Sequence, residues 1–353
     1  MTRSAPRFAV LLALAMVGAS CASLVAGGFN GKPADIYSVV PNQADVRKLL
    51  GDNDWWVGTP TFGVLPLDSM STPTTVRFWV SQPYVHLGTA EQMLARYTVY
   101  DKTSSATSAM TEYQNAYGTS PTSPKVGDQV LYYGLQGSSA APFATRTFVR
   151  VGQVVVQIVW TRKDAIPTVT QLGKNASKFV AGLKDLSKLH AKSTSVDPNL
   201  LPPPGLDITL LGSTQLPVES FVVMILAAIP DPILALMRGG GINDFAYGDY
   251  ALNNDTHMEV QTGLLTFPTS ADAADWAKAF SPGTPDSNGI GGAYLSIGGS
   301  PAAGVYHYVF ASGKYGALVV CKSSTDGEAA SRECEDPMKS TALAWKLALG
   351  GLR

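Results

Sequence analysis

Four histidines, His86, His190, His257 and His307, are the residues best suited to move protons or hold a transition metal, and they lie scattered along the chain. No HExxH pair is present, so no helix places two imidazoles on one zinc ion by local spacing. The GxSxG turn that lifts a nucleophilic serine out of an α/β-hydrolase sheet is also missing. Triads assemble from distant residues, so these absences make an enzyme the less favoured reading rather than an impossible one. Asp52-Asn53-Asp54-Trp55-Trp56 is the loop that mixes acids with aromatics. Such a loop could stack on a sugar or hold Ca²⁺, but the ligand spacing of an EF-hand is not there. A turn whose Trp pair anchors a core is the plainer reading. His307, between Tyr306 and Tyr308, reads as a surface or internally satisfied histidine. Gly239-Gly240-Gly241 lacks the lysine of a phosphate loop and follows a helix, which points to C-terminal capping. No catalytic residue, metal site or cofactor is expected.

The cysteines carry more. There are three. Cys321 ends a predicted strand and Cys334 precedes the last predicted helix, so an oxidising compartment would pair them. A zinc site would need more ligands than these two. Cys21 is left over. It follows a basic start (Arg3, Arg7) and the apolar run 8–17, which is too short to span a bilayer. Val17-Gly18-Ala19-Ser20-Cys21 resembles a bacterial lipobox, although Gly18 departs from the usual Leu or Val. The resemblance implies cleavage before Cys21, a lipid on its sulfur and attachment to a membrane. The alternative is ordinary secretory cleavage after Ala22.

These residues sit on a chain of 353 amino acids, long enough for two ordinary domains. Hydrophobic content of 45% against 15% charged residues describes a globular protein with a rather neutral surface. Net charge is −1 and no dense Lys/Arg cluster occurs, which disfavours nucleic acid as a partner.

The elements repeat. Residues 97–100 read as a strand, followed by a helix stripe at Ala106, Ala109, Met110, Tyr113, Ala116 and Tyr117. Residues 264–267 read as a strand followed by Ala273, Trp276, Ala277 and Phe280, and one offset aligns Tyr100 with Phe267 and Tyr113 with Phe280. Thr269 and Asp272 open the second helix as a capping box. Downstream, 130–134 matches 294–298. Residues 148–154 match 309–315, each a strand, a Gly-containing turn and a strand. The closing helices carry Leu172, Ala176, Phe179 and Leu183 in one copy and Met338, Ala342, Trp345 and Leu349 in the other, identically spaced. The expected fold is therefore α+β: two copies of a module in which helices cover a short antiparallel sheet. The predicted layout is a signal peptide at 1–21, a tether at 22–43, a first module at 44–190, a Pro-rich linker at 191–205 and a second module at 206–353. Each module is expected to have its own core and to fold alone.

One stretch stands out. Residues 221–229 are nine consecutive apolar residues, and 233–237 add five more after Pro230-Asp231-Pro232. It is too short for a membrane span. A fully buried helix pair is the plain reading. The alternative is that Phe221, Val222, Ile225, Ile229, Ile233 and Met237 form a surface for an apolar ligand or a protein partner.

The order Gly127-Asp128-Gln129-Val130, then residues 149–156, then a closing amphipathic helix resembles the extracellular sensor domains of actinobacterial serine/threonine kinases and their envelope lipoprotein relatives. That resemblance covers about a quarter of the chain and implies extracytoplasmic sensing, with no catalytic residues to carry over. The sequence reading is a non-catalytic envelope lipoprotein that binds an apolar or envelope-derived ligand or a protein partner, held at the membrane by its lipid. A secreted hydrolase and a structural envelope component are the alternatives.

Overall fold

The computed structural model describes residues 29–64, 75–89, 91–184, 196–225, 230–253, 255–280, 290, 293–297, 304–323 and 334–352. The signal segment with Cys21, residues 22–28 of the tether and residues 191–195 of the linker lie outside that set. No described helix is long and apolar enough to cross a membrane.

The chain is α+β, as the patterns predict, and its strands form two antiparallel sheets. In the first, β1 (Trp55–Val57), β2 (Thr61–Gly63), β3 (Val76–His86), β4 (Gln92–Tyr100), β5 (Gln129–Gln136), β6 (Phe143–Val151) and β7 (Val154–Arg162) run β1-β3-β4-β7-β6-β5, with β2 also beside β3. In the second, β8 (Ile208–Pro217), β9 (Asp244–Leu252), β10 (Asp255–Thr266), β11 (Ala293–Ile297), β12 (Gly304–Ser312) and β13 (Tyr315–Ser323) run β8-β9-β10-β13-β12-β11. Taking β1 and β2 as one interrupted edge strand, the two orders are the same.

The helices repeat too. α1 (Pro33–Tyr37) and α2 (Gln43–Leu50) precede the first sheet, α3 (Thr103–Tyr117) follows β4, and α4 (Val169–Phe179) follows β7. α5 (Val218–Ile225) and α6 (Pro230–Gly239) lie between β8 and β9, α7 (Ser270–Phe280) follows β10, and α8 (Glu335–Gly350) closes the chain. The sequence reads as one helix over 218–229; α5 is described as far as Ile225, and residues 226–229 lie outside the described set.

Register supports the duplication. Gly152 and Gly313 take φ of 57° and 56° in two-residue hairpin turns, a left-handed conformation that suits glycine and matches strand twist. Val151 pairs with Val154 and Ser312 with Tyr315. The Tyr100 amide donates to the Gln153 carbonyl at 2.9 Å, and its counterpart Phe267 donates to Lys314 at 2.8 Å. All eight residues of the closing-helix stripes are buried. Two details differ. Ala116 is exposed, so the α3 stripe ends at Tyr113 and half-buried Tyr117. Tyr294 lies opposite His307, whereas the sequence match would set it opposite Phe310 as Val130 is opposite Val149.

The two halves expected to hold separate cores share one apolar cluster. Each sheet has helices on both faces. The α3 face of the first sheet and the α8 face of the second form clusters of their own. The other two faces merge: Tyr84, Tyr97 and Phe179 of the first half belong to the same apolar cluster as Phe221, Phe245 and Leu265 of the second. Phe62 crosses the seam, its ring 6.5 Å from that of Tyr247. Its amide donates to buried Asp249 at 2.7 Å, and the Tyr247 hydroxyl donates to the Pro60 carbonyl at 2.6 Å. These bonds, and that from the Thr59 hydroxyl to Gln261 Oε1 at 3.3 Å, are buried, where loss of a partner costs most. The reason is physical: two modules of this size leave one apolar face each, and pairing those faces removes both from water.

Cys321 and Cys334 stand at disulfide distance, Cα atoms 6.3 Å apart and both fully buried, tying the end of β13 to the start of α8.

Candidate ligand cavity

A cavity of about 710 Å³ opens between the end of α6 and the outer face of α7. Its first wall is a helix stop. The Gly241 amide donates to the Arg238 carbonyl at 2.9 Å and the Ile242 amide to the Met237 carbonyl at 3.0 Å. The glycine run therefore caps α6, as its position after a helix predicts. Met237 and Ile242 point inward from this turn, 5% and 2% exposed.

The second wall begins where β10 ends, at Phe267 and Pro268, and continues into α7. Thr269 and Asp272 form the predicted capping box: the Asp272 carboxylate accepts from the Thr269 amide at 3.2 Å and hydroxyl at 2.7 Å, and the Asp272 amide donates to Thr269 Oγ1 at 3.1 Å. That cap fixes the rotation of α7. Asp272, Asp275, Trp276 and Ala279, spaced i, i+3, i+4, i+7, then share the cavity face. Trp276 is a corner residue, belonging both to this face and to the core stripe with Ala273 and Ala277. Its ring packs 5.7 Å from Phe267 and 6.0 Å from Phe221. The indole lies over Gly316, where a Cβ would come within 2.6 Å of Cε3.

Of the residues singled out in 221–237, Met237 lines the cavity. Phe221 stands behind it, fully buried and 5.2 Å from the Phe245 ring. Val222, Ile225 and Ile233 lie on α5 and α6, but their side chains, like Ile229 as a whole, fall outside the described residues. The sequence reading missed Ile242, Phe267, Asp272, Asp275 and Ala279. No local signal set this stripe apart from a solvated helix face: Asp272, Asp275 and Ala279 are all exposed, and only Trp276 is buried.

The acidic loop is also ordered. His86 Nε2 meets Asp52 Oδ2 at 2.8 Å, and the Gly88 amide donates to His86 Nδ1 at 3.2 Å. With Nδ1 accepting, Nε2 carries the proton toward Asp52. The Asp54 amide donates to Asp52 Oδ1, and this bond, followed by that to His86, holds the Asp52 carboxyl below its usual range. Ligand atoms of Asp52, Asp54 and His86 lie within 4.8 Å of one another, but the bonds just described already use both imidazole nitrogens and both Asp52 oxygens. Trp55 and Trp56 are buried, Trp55 edge-on to His86 at 5.5 Å and Trp56 beneath the Arg47 guanidinium at 4.9 Å. The turn thus anchors the first core. His307, read as a surface or satisfied residue, is 3% exposed on the sheet face of Val309, and burial lowers its pKa to about 4.

No family model matches the chain, and no curated protein matches it. Among solved structures, the extracellular domain of PknH from Mycobacterium tuberculosis is similar at 12% identity, over 42% of this chain and 94% of that domain, with a TM-score of 0.32. DynU16, from the dynemicin biosynthetic locus, is similar at 11% identity, over 84% of this chain and 96% of that protein, with a TM-score of 0.13. The resemblance to kinase sensor domains thus has a weak structural counterpart; at these scores it carries no functional argument.

Proposed function

We propose that this chain is a non-catalytic extracytoplasmic binding protein whose ligand occupies the cavity between α6 and α7. The cavity carries the reading: about 710 Å³, walled by Met237, Ile242, Phe267 and Trp276, it falls within the size and apolar character of small-molecule sites. Export rests on the start of the sequence, and a lipid on Cys21 would keep the protein at the membrane. The Cys321–Cys334 pair fits an oxidising compartment.

The test uses Gly239. A Cβ added there meets no atom within 4 Å and Gly239 lines the cavity, so a large side chain can be placed at its edge without displacing core. Protein purified from its native envelope should release an apolar compound on organic extraction, seen as a bound mass by native mass spectrometry. Gly239→Trp should lose that mass while melting within a few degrees of wild type. If wild type carries nothing and takes up no apolar probe, the binding reading is wrong.

A further inference from the structure

Resting on that reading, we propose that the cavity selects a cationic amphiphile: an apolar chain or ring system bearing an ammonium-type head, as against a fatty acid or a phosphate-bearing lipid.

The charge of the walls is the first argument. Among the described lining residues, those that carry charge are Asp272 and Asp275, both carboxylates, and no Lys, Arg or His joins them. An anionic head would meet two negative groups with no cation to offset them, whereas a cation gains from both. Backbone charge adds to this on the α6 side, where the helix presents its C-terminal, partially negative end at Gly239. On the other side, Asp272 caps the positive N-terminus of α7.

The aromatic corner is the second argument. Trp276 and Phe267 stand 5.7 Å apart with planes inclined by 42°; Asp275 directly precedes Trp276, and Asp272 lies one helix turn before it. Both rings line the cavity but are only 8% exposed, so what they offer a ligand is an apolar wall beside the carboxylates, suited to the chain of an amphiphile whose head lies at the acids.

The duplication supplies an internal control. The offset that aligns Tyr100 with Phe267 aligns Ser105 with Asp272, Ser108 with Asp275 and Ala109 with Trp276. In the first half, the Ser108 hydroxyl turns back onto its own helix, donating to the Ser104 carbonyl at 3.1 Å, and Ala109 is buried. The hairpin offset likewise aligns Val155 with Gly316, and Gly316 is what makes room for the indole. Trp and Gly in the second half therefore replace Ala and Val in the first, and two neutral hydroxyls become two acids. Of these changes, the two acids and the indole lie among the cavity-lining residues, and the glycine seats the indole from the sheet side.

The test titrates the full chain with decyltrimethylammonium, decanol and decanoate, each below its micellar concentration, by calorimetry. The cation should bind on the order of tenfold tighter than decanoate, with decanol between. Asp275→Asn should remove most of that preference and leave decanol affinity unchanged; Asp272 is spared because it caps α7. Gly239→Trp should abolish uptake of all three. If decanoate or decanol binds as tightly as the cation, the charge selection is refuted while the cavity remains a binding site. If Asp275→Asn weakens all three probes equally and lowers the melting temperature, the carboxylate is structural and the selection is again refuted. If Gly239→Trp leaves cation binding intact, the cation binds elsewhere and the proposal fails. If no probe binds wild type, the binding reading beneath it fails as well.

Discussion

The crossover helices α3 and α7 hold corresponding places in the two sheets and do different things. α3 is sealed to its sheet: Ala106, Ala109 and Met110 are buried, and Tyr113 stacks on Phe148 at 4.1 Å. α7 is sealed on its inner side by Ala273, Trp276 and Ala277, while its outer side borders the cavity. The neighbouring connection explains the difference. The first half links β2 to β3 over residues 64–75, whereas the second spends 218–243 linking β8 to β9 and builds α5 and α6 from it. That connection raises the wall beside α7 that borders the cavity; among the described residues no such helix pair stands between β2 and β3.

The largest effect should come from separating the halves. Fragments 29–190 and 206–353 expose the Phe62–Tyr247 seam and strand the Asp249 carboxylate, so neither should fold cooperatively alone, and co-expression should restore one transition. Two independent calorimetric transitions from the separate fragments would show that the seam is dispensable.

Next is the exchange of the Trp–Gly and Ala–Val pairs. Trp276→Ala should destabilise by roughly 3–5 kcal/mol, the usual cost of deleting a large aromatic. Ala109→Trp should cost about 1–3 kcal/mol or more, since Val155 occupies the space an indole needs. Adding Val155→Gly to Ala109→Trp should recover part of that loss in urea melts. If the double variant is no better than the single, the correspondence between the helices is of sequence order and not of packing.

The parts legible in sequence were those set by local chemistry. The capping box at Thr269 and Asp272, the glycine hairpin turns, the glycine stop after α6 and the identical closing stripes all follow from residues within a few positions of one another. They sufficed for the α+β class and for the repeated strand order. What stayed hidden needed faces to meet. Nothing local in Phe62 or Asp249 says that an amide of one half will bind a carboxylate of the other. Met237 was legible as apolar, but its role depends on α7, thirty-odd residues on, turning Asp275 and Trp276 toward it.

Reduction of Cys321–Cys334 should act mainly on the second half. Closing this short loop is worth about 3 kcal/mol in the chain-entropy model. Amide exchange in β13 and α8 should speed up well before that in β4 and β7. Uniform acceleration across both sheets would mean that β13 and α8 exchange only through global unfolding, with no local opening for the disulfide to hold shut.

Acid separates the halves by pH window, and Asp52 gives the smallest effect. His307 is buried neutral, and burial lowers its pKa from the ordinary 6.5 to about 4. The unfolded chain therefore binds a proton that the folded chain refuses between those values. Stability supplied by the neutral ring is complete above about pH 6.5 and falls as pH drops toward 4, by about 3 kcal/mol at most. His307→Leu should flatten that slope in urea midpoints taken between pH 7 and 4. Asp52 works lower on the scale. Its carboxyl is held below the usual range by the Asp54 amide, with the His86 ring second, so its contribution is present above about pH 4 and fades below. The Asp52 side chain is 43% exposed, and such pairs contribute less than about 1 kcal/mol. Asp52→Asn should therefore change the urea midpoint little at pH 7, leave the slope between pH 6.5 and 4 as in wild type, and loosen the 51–54 turn without disturbing buried Trp55. An Asp52→Asn variant that loses several kcal/mol at neutral pH would show that the loop does more than anchor its own turn, and would reopen the metal reading of Asp52, Asp54 and His86.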